Sequence, residues 1–253
     1  VKPNVGMMGF MFRKIETAAE LELYHSKMPV NYLVQHLITF PLEVSVFYYR
    51  LPNEKKGTVS GFLQKETPFI TGDGISTIGQ LIDSHAGLRF KLDAMRFKHG
   101  AKLHQVLAPG ENYALSAASN RGQGGKILSL KHEIDDQLLK VFDDISEYAD
   151  KFYFGRYDIK CASVADLKAG KNFTILEYNG SGSGTQHIYG AGNSLWQGMR
   201  VILTHWNMMY KIAGYNISKG IGYWPFWKGL KFLRAAKKNL HLLKKLDSEF
   251  PAF

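Results

Sequence analysis

Two apolar segments, residues 153–159 and 173–178, carry polar side chains where a buried strand would carry none. The polar loop between them contains the turn residues 170–172 (GKN), so we expect two neighbouring strands. Each segment has a polar pair spaced two residues apart, and strand side chains alternate between faces, so each pair projects to one side. The polar residues are Arg156 and Asp158 in the first segment and Glu177 and Asn179 at the end of the second.

Side-by-side pairing of these strands would gather a guanidinium group, two carboxylates and an amide on one patch. The small-residue loop 180–185 (GSGSGT) follows immediately. Carboxylate and amide oxygens suit Mg²⁺, a guanidinium group suits phosphate, and glycine amides approach anions closely. The pattern therefore predicts a site for a divalent cation and phosphate groups. The alternative is a structural ion pair of Arg156 with Asp158 or Glu177 beside a flexible loop.

Composition narrows the class of protein. The 253 residues are 45% hydrophobic, which is enough to bury a core in one large domain or two lobes. The single cysteine, Cys161, excludes an internal disulfide framework and fits a reducing compartment, so we expect a cytoplasmic protein. Most of the net charge of +10 comes from residue 211 onward, where the chain has eight Lys and one Arg but only two acidic residues. We therefore expect no nucleic-acid partner.

The first fifty residues contain parts that suit a nucleotide. Lys2 stands at a strand end before a short loop with Gly6 and Gly9, which predicts a phosphate-covering loop; the alternative is a plain turn. The sequence predicts an apolar strand over 32–38, then a break, and then a second strand over 42–50. An apolar strand followed by a break suits a hinge against which a flat base can pack. Glu43, at the start of that second strand, would accept hydrogen bonds from ribose hydroxyls; the alternative is a solvated strand end.

Helix starts and a basic tail complete the pattern. Thr17 with Glu20 and Thr77 with Gln80 form capping boxes, and apolar periodicity predicts a helix over 132–148. A further helix begins at Asn193 or Ser194 and extends to about residue 213.

In the tail, one helical face carries the apolar residues 226, 230, 233, 240 and 243, and the basic residues point away from that face. One interpretation of 224–246 is a helix on an anionic membrane surface. The other is a helix packed on the body of the protein with a solvated basic face. The glycine-rich loop 120–126 would order over an anionic substrate, or it is a mobile surface loop.

The order of these parts resembles the ATP-grasp superfamily, in particular its D-alanine–D-alanine ligase-like branch. In that family a strand reading G-R-[IV]-D precedes one reading L-E-x-N, and residues 155–158 (GRYD) and 176–179 (LEYN) are similar to these motifs. Residues 72–77 (GDGIST) also look like a segment of the cyanophycin synthetase and glutamate–cysteine ligase domains. The resemblance covers about residues 1–210 and implies an α+β fold of the ATP-grasp type.

The resemblance also implies roles for individual residues. Asp158, Glu177 and Asn179 would hold two Mg²⁺ ions that bridge the ATP phosphates. Mn²⁺ is an alternative to Mg²⁺. Arg156 would stabilise the transferring phosphoryl group and the acyl-phosphate. The nucleotide would be contacted by Lys2, Gly6, Gly9, Gln35, His36, Leu37, Ile38 and Glu43. Asn120 and Arg121, in a loop similar to a substrate-side loop of those relatives, complete the cofactor-binding set.

The implied organisation is a partial lid subdomain with the glycine loop (1–37), a larger lobe with the Mg-ATP site (38–213) and a basic helical tail (214–253). The implied activity is that of an ATP-dependent carboxylate–amine ligase, which forms an acyl-phosphate and releases ADP and phosphate. The expected partners are therefore ATP and small carboxylate and amine substrates.

Several hypotheses stay open beside this one. Within enzymes, the alternative is a polymerising amino-acid ligase of the cyanophycin synthetase type. From another class, it is a non-catalytic nucleotide-binding module at a membrane surface. A homodimer and a peripheral membrane contact through 224–246 are further hypotheses. Because the sequence at Val1 has the pattern of a strand entered midway, and because the family's N-terminal substrate lobe is not present, we expect a fragment of a longer protein.

Overall fold

The structure is a computed structural model that describes residues 1–6, 9–85, 88, 92–115, 119, 125–150, 152–189 and 193–250. The chain divides into two units. The first unit consists of Val1–Leu37, Thr67–Lys126 and Trp224–Phe253. The second unit consists of Ile38–Glu66 and Ile127–Tyr223.

The described residues form an α+β fold. The strands are β1 (Lys2–Pro3), β2 (Tyr32–Leu33), β3 (Leu42–Tyr49), β4 (Thr58–Glu66), β5 (Phe69–Thr71), β6 (Asn112–Ala114), β7 (Lys126–Ser129), β8 (Phe154–Cys161) and β9 (Phe173–Asn179). The α-helices are α1 (Ala18–Lys27), α2 (Ile78–Ser84), α3 (Leu92–Lys98), α4 (Asp136–Tyr148), α5 (Val164–Lys168), α6 (Leu195–Ser218) and α7 (Phe226–Glu249).

A five-stranded sheet in the order β7-β4-β3-β8-β9 is the centre of the second unit. The pairs β3–β4, β3–β8 and β8–β9 are antiparallel. On one face, Val46, Tyr157 and Ile159 pack with Leu138 and Phe142 of α4 into the main core. Fully burying side chains of this size contributes about 1.5–3 kcal/mol each. This core fixes the sheet, and therefore the positions of the residues on its other face.

The opposite face of the sheet is partly covered by α6. Phe47 and Phe154 pack with Ile212 of this helix in a separate apolar cluster. Of the two predicted caps, Asn193 and Ser194, it is Ser194 that caps α6, through a capping box with Gln197. The helix is longer than the sequence predicted: it reaches Ser218, since Gly214 lies in its interior without ending it.

The described residues of the first unit form two apolar clusters. One joins β5 to α2 and α3 through Ile70, Ile78 and Met95. The other joins the first residues of the chain to α1 and α7 through Met11, Tyr24 and Leu243. Val1 and Phe250 are also buried in this cluster. Among the described residues, none of the helices combines the length and the apolar character that crossing a membrane requires.

Both predicted capping boxes in the first unit are confirmed: Thr17 caps α1 with Glu20, and Thr77 caps α2 with Gln80. The strand expected over 32–38 is wrong for most of its length, because ladder pairing with β1 involves only Tyr32 and Leu33. The helix expected from residue 132 begins at Asp136 instead. Asp135 accepts a hydrogen bond from the Leu138 amide as its N-cap, and residues 131–133 form a 3₁₀ turn.

Candidate functional site

The register of β8 and β9 brings the four predicted polar residues together. Arg156 lies opposite Asn179, and Asp158 lies opposite Glu177, in an antiparallel pair. Tyr157, between the two residues of β8, points to the opposite face and is buried in the main core. The predicted pairing of the two segments is therefore confirmed, as is the gathering of their polar side chains on one face.

A β-bulge makes this arrangement possible. Asp158 pairs with Glu177, but the next residue, Ile159, pairs with Ile175, so Leu176 is an extra residue in β9. In an unbroken ladder Glu177 would lie opposite Tyr157, on the core face, because strand side chains alternate. The bulge moves Glu177 to the face of Asp158.

Asp158 is the centre of the polar cluster. Arg156 forms a two-pronged ion pair with it, Nε at 3.0 Å from Oδ1 and Nη2 at 2.9 Å from Oδ2. Lys65 donates from Nζ to Oδ1 at 2.9 Å, and the Asn179 amide donates to Oδ2 at 3.1 Å. The Ser45 hydroxyl, from the neighbouring strand, also donates to Oδ1. The alternative ion pair of Arg156 with Asp158 is thus present in the structure.

The charge of Asp158 is maintained by these neighbours. Burial alone would raise the pKa of the carboxyl, but Lys65 and Arg156, with the Ser45 hydroxyl, hold that pKa below its ordinary value. The carboxylate is therefore ionised at neutral pH although it is only 5% exposed. A buried carboxylate of this kind needs compensating cations, because an unpaired charge in an apolar environment is strongly unfavourable.

Ser45 and Lys65 both contact Asp158, and the sequence interpretation missed both. The ammonium group of Lys65 also lies 3.9 Å from Oε1 of Glu43, the predicted ribose contact, so it stands between two carboxylates. In the β3–β4 hairpin Glu43 lies opposite Lys65, but a register shift between Phe47 and Tyr48 interrupts the pairing. Counting back from the turn without that shift would place Gln64 there, so hairpin counting alone points to the wrong residue.

The loop after β9 approaches the cluster through Arg156. Its Nη1 donates to the carbonyl oxygen of Gly184 at 3.4 Å, and the loop ends in the 3₁₀ turn Gln186–Ile188. Ser183 Oγ and Gln186 Oε1 are buried, and within the described residues neither has a hydrogen-bond partner. Buried polar atoms without partners carry a free-energy cost, so these two are available to a bound polar group.

His187, in the same 3₁₀ turn, is held by packing. Its ring lies 5.3 Å from that of His205 and 5.9 Å from that of Phe47, measured between centroids. A Cβ on Gly61 would come within 2.3 Å of its Nδ1, so glycine is required there. Burial lowers the pKa of His187 to about 4. Burial, and then the neighbouring His187, lowers the pKa of His205 to about 4 as well. Both rings are neutral at pH 7.

The predicted nucleotide residues fall in different parts of the structure. Ile38 and Glu43 belong to the second unit, where the polar cluster lies. Lys2 is in β1, Gly9 has a positive φ of 74°, and the segment 35–37 is exposed and irregular. Lys2, Gly6, Gly9, Gln35, His36 and Leu37 belong to the first unit. Asn120 and Arg121 lie outside the described residues.

The donor set suits a hard cation. Asp158, Glu177 and Asn179 offer carboxylate and amide oxygens, and Glu177 is exposed at the end of its strand. Within the part of the chain that the structure describes, no cluster of three or more His, Cys, Asp or Glu side chains is arranged to hold a metal. A metal here would thus depend on two carboxylates, on the Asn179 amide and on oxygens from a ligand such as a phosphate.

Comparison with known proteins gives a partial likeness to solved structures. No family model matches the sequence, and neither does any curated protein. The structure is similar to that of a bifunctional glutathione synthetase from Pasteurella multocida, with a TM-score of 0.42 and 16% sequence identity. The match covers 67% of this chain and 24% of that one, so the chain spans about a quarter of the length of the solved protein. At this score and identity, the likeness assigns neither a family nor an activity.

Proposed function

We propose that the second unit is the catalytic part of an ATP-dependent carboxylate–amine ligase of the ATP-grasp type. The observation that carries the proposal is the β8–β9 register, in which Arg156 faces Asn179 and Asp158 faces Glu177. Two strand motifs that resemble that superfamily thereby meet in space, with their polar residues on the face opposite the core.

Each residue of the cluster has a role in the proposal. Asp158, Glu177 and Asn179 would hold Mg²⁺, which supplies charge neutralisation to the phosphates of ATP. Arg156 would bind the γ-phosphoryl group, since its guanidinium matches phosphate oxygens in a two-pronged geometry. Lys65 would keep Asp158 ionised and in place. Ser183 and Gln186, with unpartnered buried oxygens, would bind the polar part of a substrate.

The proposed reaction has two displacements. A carboxylate oxygen of the substrate attacks the γ-phosphorus of ATP, the bond to the β,γ-bridging oxygen breaks, and ADP leaves. The amine nitrogen then attacks the carbonyl carbon of the acyl-phosphate, phosphate leaves with its bonding electron pair, and the nitrogen loses a proton. No step in this scheme uses His187, whose neutral ring is packed against the sheet. Catalysis consists of positioning and charge stabilisation.

The roles of Lys2, Gly6, Gly9, Gln35, His36, Leu37, Ile38, Glu43, Asn120 and Arg121 toward the nucleotide stand as proposals from the sequence.

A second candidate is a non-catalytic nucleotide-binding module. The observation that favours it is that Asp158 already has both oxygens paired, with Arg156, Lys65, Asn179 and Ser45 as partners. A carboxylate so occupied must exchange a partner before it can bind a cation. In a module that has lost chemistry, the same ion pairs would persist with nucleotide bound.

Release of ADP separates the two candidates. The full chain is incubated with ATP, Mg²⁺ and a panel of carboxylates and amines, and ADP is measured with Mg²⁺ present and with EDTA in its place. The ligase proposal expects Mg²⁺-dependent release that requires a carboxylate and that Asp158→Asn and Glu177→Gln each abolish. Asp144→Asn, on the exposed side of α4, is the matched control and should retain full turnover. Turnover that survives both site substitutions would contradict the proposal, and nucleotide binding without turnover would support the module.

A further inference from the structure

Helix α7 is fixed to the first unit by its C-terminal half. Leu243 is completely buried in the cluster with Met11 and Tyr24. Asp247 pairs with Arg13 at 2.9 Å and accepts a hydrogen bond from the Met11 amide at 2.8 Å. These contacts confirm, for this half, the interpretation of a helix packed on the body of the protein.

The N-terminal half of α7, together with Trp224 just before its N-cap, differs from the C-terminal half because it exposes large apolar side chains. Side-chain exposure there is between half and three quarters of the maximum: Trp224 56%, Phe226 73%, Trp227 74%, Phe232 57% and Leu233 65%. The sequence predicted one apolar helical face formed by residues 226, 230, 233, 240 and 243, of which only Leu243 is buried. The ring centroids of Trp224 and Phe232 lie 5.6 Å apart, and those of Phe226 and Trp227 lie 5.2 Å apart. Large exposed apolar residues grouped in this way mark a binding surface rather than ordinary surface composition.

The same part of the helix carries exposed positive charge. Lys228, Lys231, Arg234, Lys237 and Lys238 are all exposed, and the acidic residues of the helix, Asp247 and Glu249, are both in its last turn. Lys228 Nζ lies 4.6 Å from the centre of the Trp224 ring, so cation and aromatic residue share one patch. The segment 224–238 therefore presents aromatic residues and cations without a single carboxylate.

We propose that segment 224–238 docks on an anionic lipid surface, with the aromatic side chains at the headgroup boundary and the cations against the lipid phosphates. Tryptophan and phenylalanine together with lysine and arginine are the composition that favours such a position. Two copies of the segment facing each other would bring like charges together, which disfavours self-association as the alternative. The contact is peripheral, and it does not depend on the proposed ligase activity.

Vesicle binding tests this inference. The full chain is sedimented with phosphatidylcholine vesicles and with vesicles that also contain phosphatidylserine, while tryptophan emission is recorded. We expect binding to the anionic vesicles only, weakened by added salt, with a shift of the emission to shorter wavelength. The triple substitution Lys228→Gln, Lys231→Gln and Arg234→Gln should weaken binding by about a hundredfold.

Two further variants make the test specific. Trp224→Ser with Trp227→Ser should reduce both the binding and the emission shift, whereas Trp196→Ser, at an even more exposed tryptophan of α6, should leave binding unchanged. The urea unfolding midpoint of each variant is measured as a control, to establish that the variant is folded. The inference is overturned if the chain does not bind anionic vesicles, or if binding survives in both segment variants. It is also overturned if the segment variants abolish only a concentration-dependent dimer in the absence of lipid.

Discussion

The ammonium group of Lys65 lies 2.9 Å from Oδ1 of Asp158, and each side chain is 8% exposed. Lys65 comes from β4 and Asp158 from β8, two strands that flank β3 in the sheet. The ion pair therefore spans the central strand and ties its two neighbours together. Because both charges are withdrawn from water, each depends on the other to offset the free energy of its desolvation.

Replacing Lys65 with methionine should destabilise the protein by about 3 kcal/mol, since removal of one partner leaves the other charge buried with less compensation. The free energy of unfolding in urea measures the effect. Lys140→Met is the matched control, because Lys140 pairs with Asp144 on α4 where both side chains are exposed. Exposed pairs at this spacing contribute about 0.3–0.5 kcal/mol. Equal losses in the two variants would show that Lys65 is not the compensating cation.

Asp158 should make stability depend on pH in the acid range. Its pKa is lower in the folded state than in the unfolded chain, so the carboxylate contributes stability above its unfolded pKa of about 3.9. That contribution is lost as the pH falls through the folded-state pKa. Asp158→Asn should thus be much less stable than the native chain at pH 7, and the difference should shrink below about pH 4. A difference that stays constant with pH would contradict this assignment.

The buried histidines should produce a second pH dependence, at higher pH. The folded state keeps His187 and His205 neutral down to a pKa of about 4, whereas in the unfolded chain each takes up a proton near pH 6.5. The free energy of unfolding should therefore fall as the pH is lowered from about 6.5 to about 4. Each histidine contributes about 1.4 kcal/mol per pH unit.

His205→Phe tests this directly. The ring of His205 lies among Phe47, Tyr49 and Phe154, and within the described residues neither of its nitrogens has a hydrogen-bond partner. Phenylalanine fits these surroundings, so the variant should be at least as stable as the native chain at pH 7.5. It should also lose about half of the slope between pH 6.5 and 4. Chemical unfolding at a series of pH values provides both numbers, and an unchanged slope would refute the prediction.

Gly155 should tolerate no side chain. A Cβ there would lie 2.6 Å from the backbone oxygen of Asn179, across the strand pair that forms the cluster. Gly155→Ala should therefore destabilise the protein by about 1–3 kcal/mol and weaken Mg²⁺-dependent turnover. Gly198→Ala is the control, because nothing lies within 4 Å of a Cβ at that position in α6. Alanine in a helix should stabilise by about 0.5–1 kcal/mol, and a loss there equal to that at Gly155 would contradict the steric argument.

Local signals in the sequence predicted local structure well. The capping residues Thr17 and Thr77 are predicted correctly, since a cap and its partner lie three residues apart in one turn, and Ser194 is one of the two caps predicted for α6. The pairing of β8 with β9 was also predictable, because the two apolar segments follow each other in the chain and carry matching polar positions, although the connection contains α5 and is not only the loop that the sequence predicted.

Long-range relationships were harder to predict. Lys65 and Asp158 are 93 residues apart, and a lysine near a strand end is normally solvated, so nothing local indicated that it is buried. The strand expected over 32–38 is the opposite case, in which a local signal predicted structure that the fold does not form. Its apolar sequence has β-propensity, but propensity alone does not supply a partner, and the ladder with β1 covers only Tyr32 and Leu33. The exposed residues at the start of α7 likewise depend on where the helix is anchored, which periodicity does not specify.

The bulge at Leu176 makes the candidate site depend on strand register more than on residue identity. If β9 kept Leu176 but paired without the bulge, Leu176 would lie opposite Asp158, and the Glu177 carboxylate would lie on the side of the sheet that packs on Tyr157. Deleting Leu176 would instead leave Ile175 opposite Ile159 and Glu177 opposite Asp158 in an unbroken ladder, so all four polar residues would stay on one face. Homologous chains that lack this one residue but keep the same side chains would therefore still share the site.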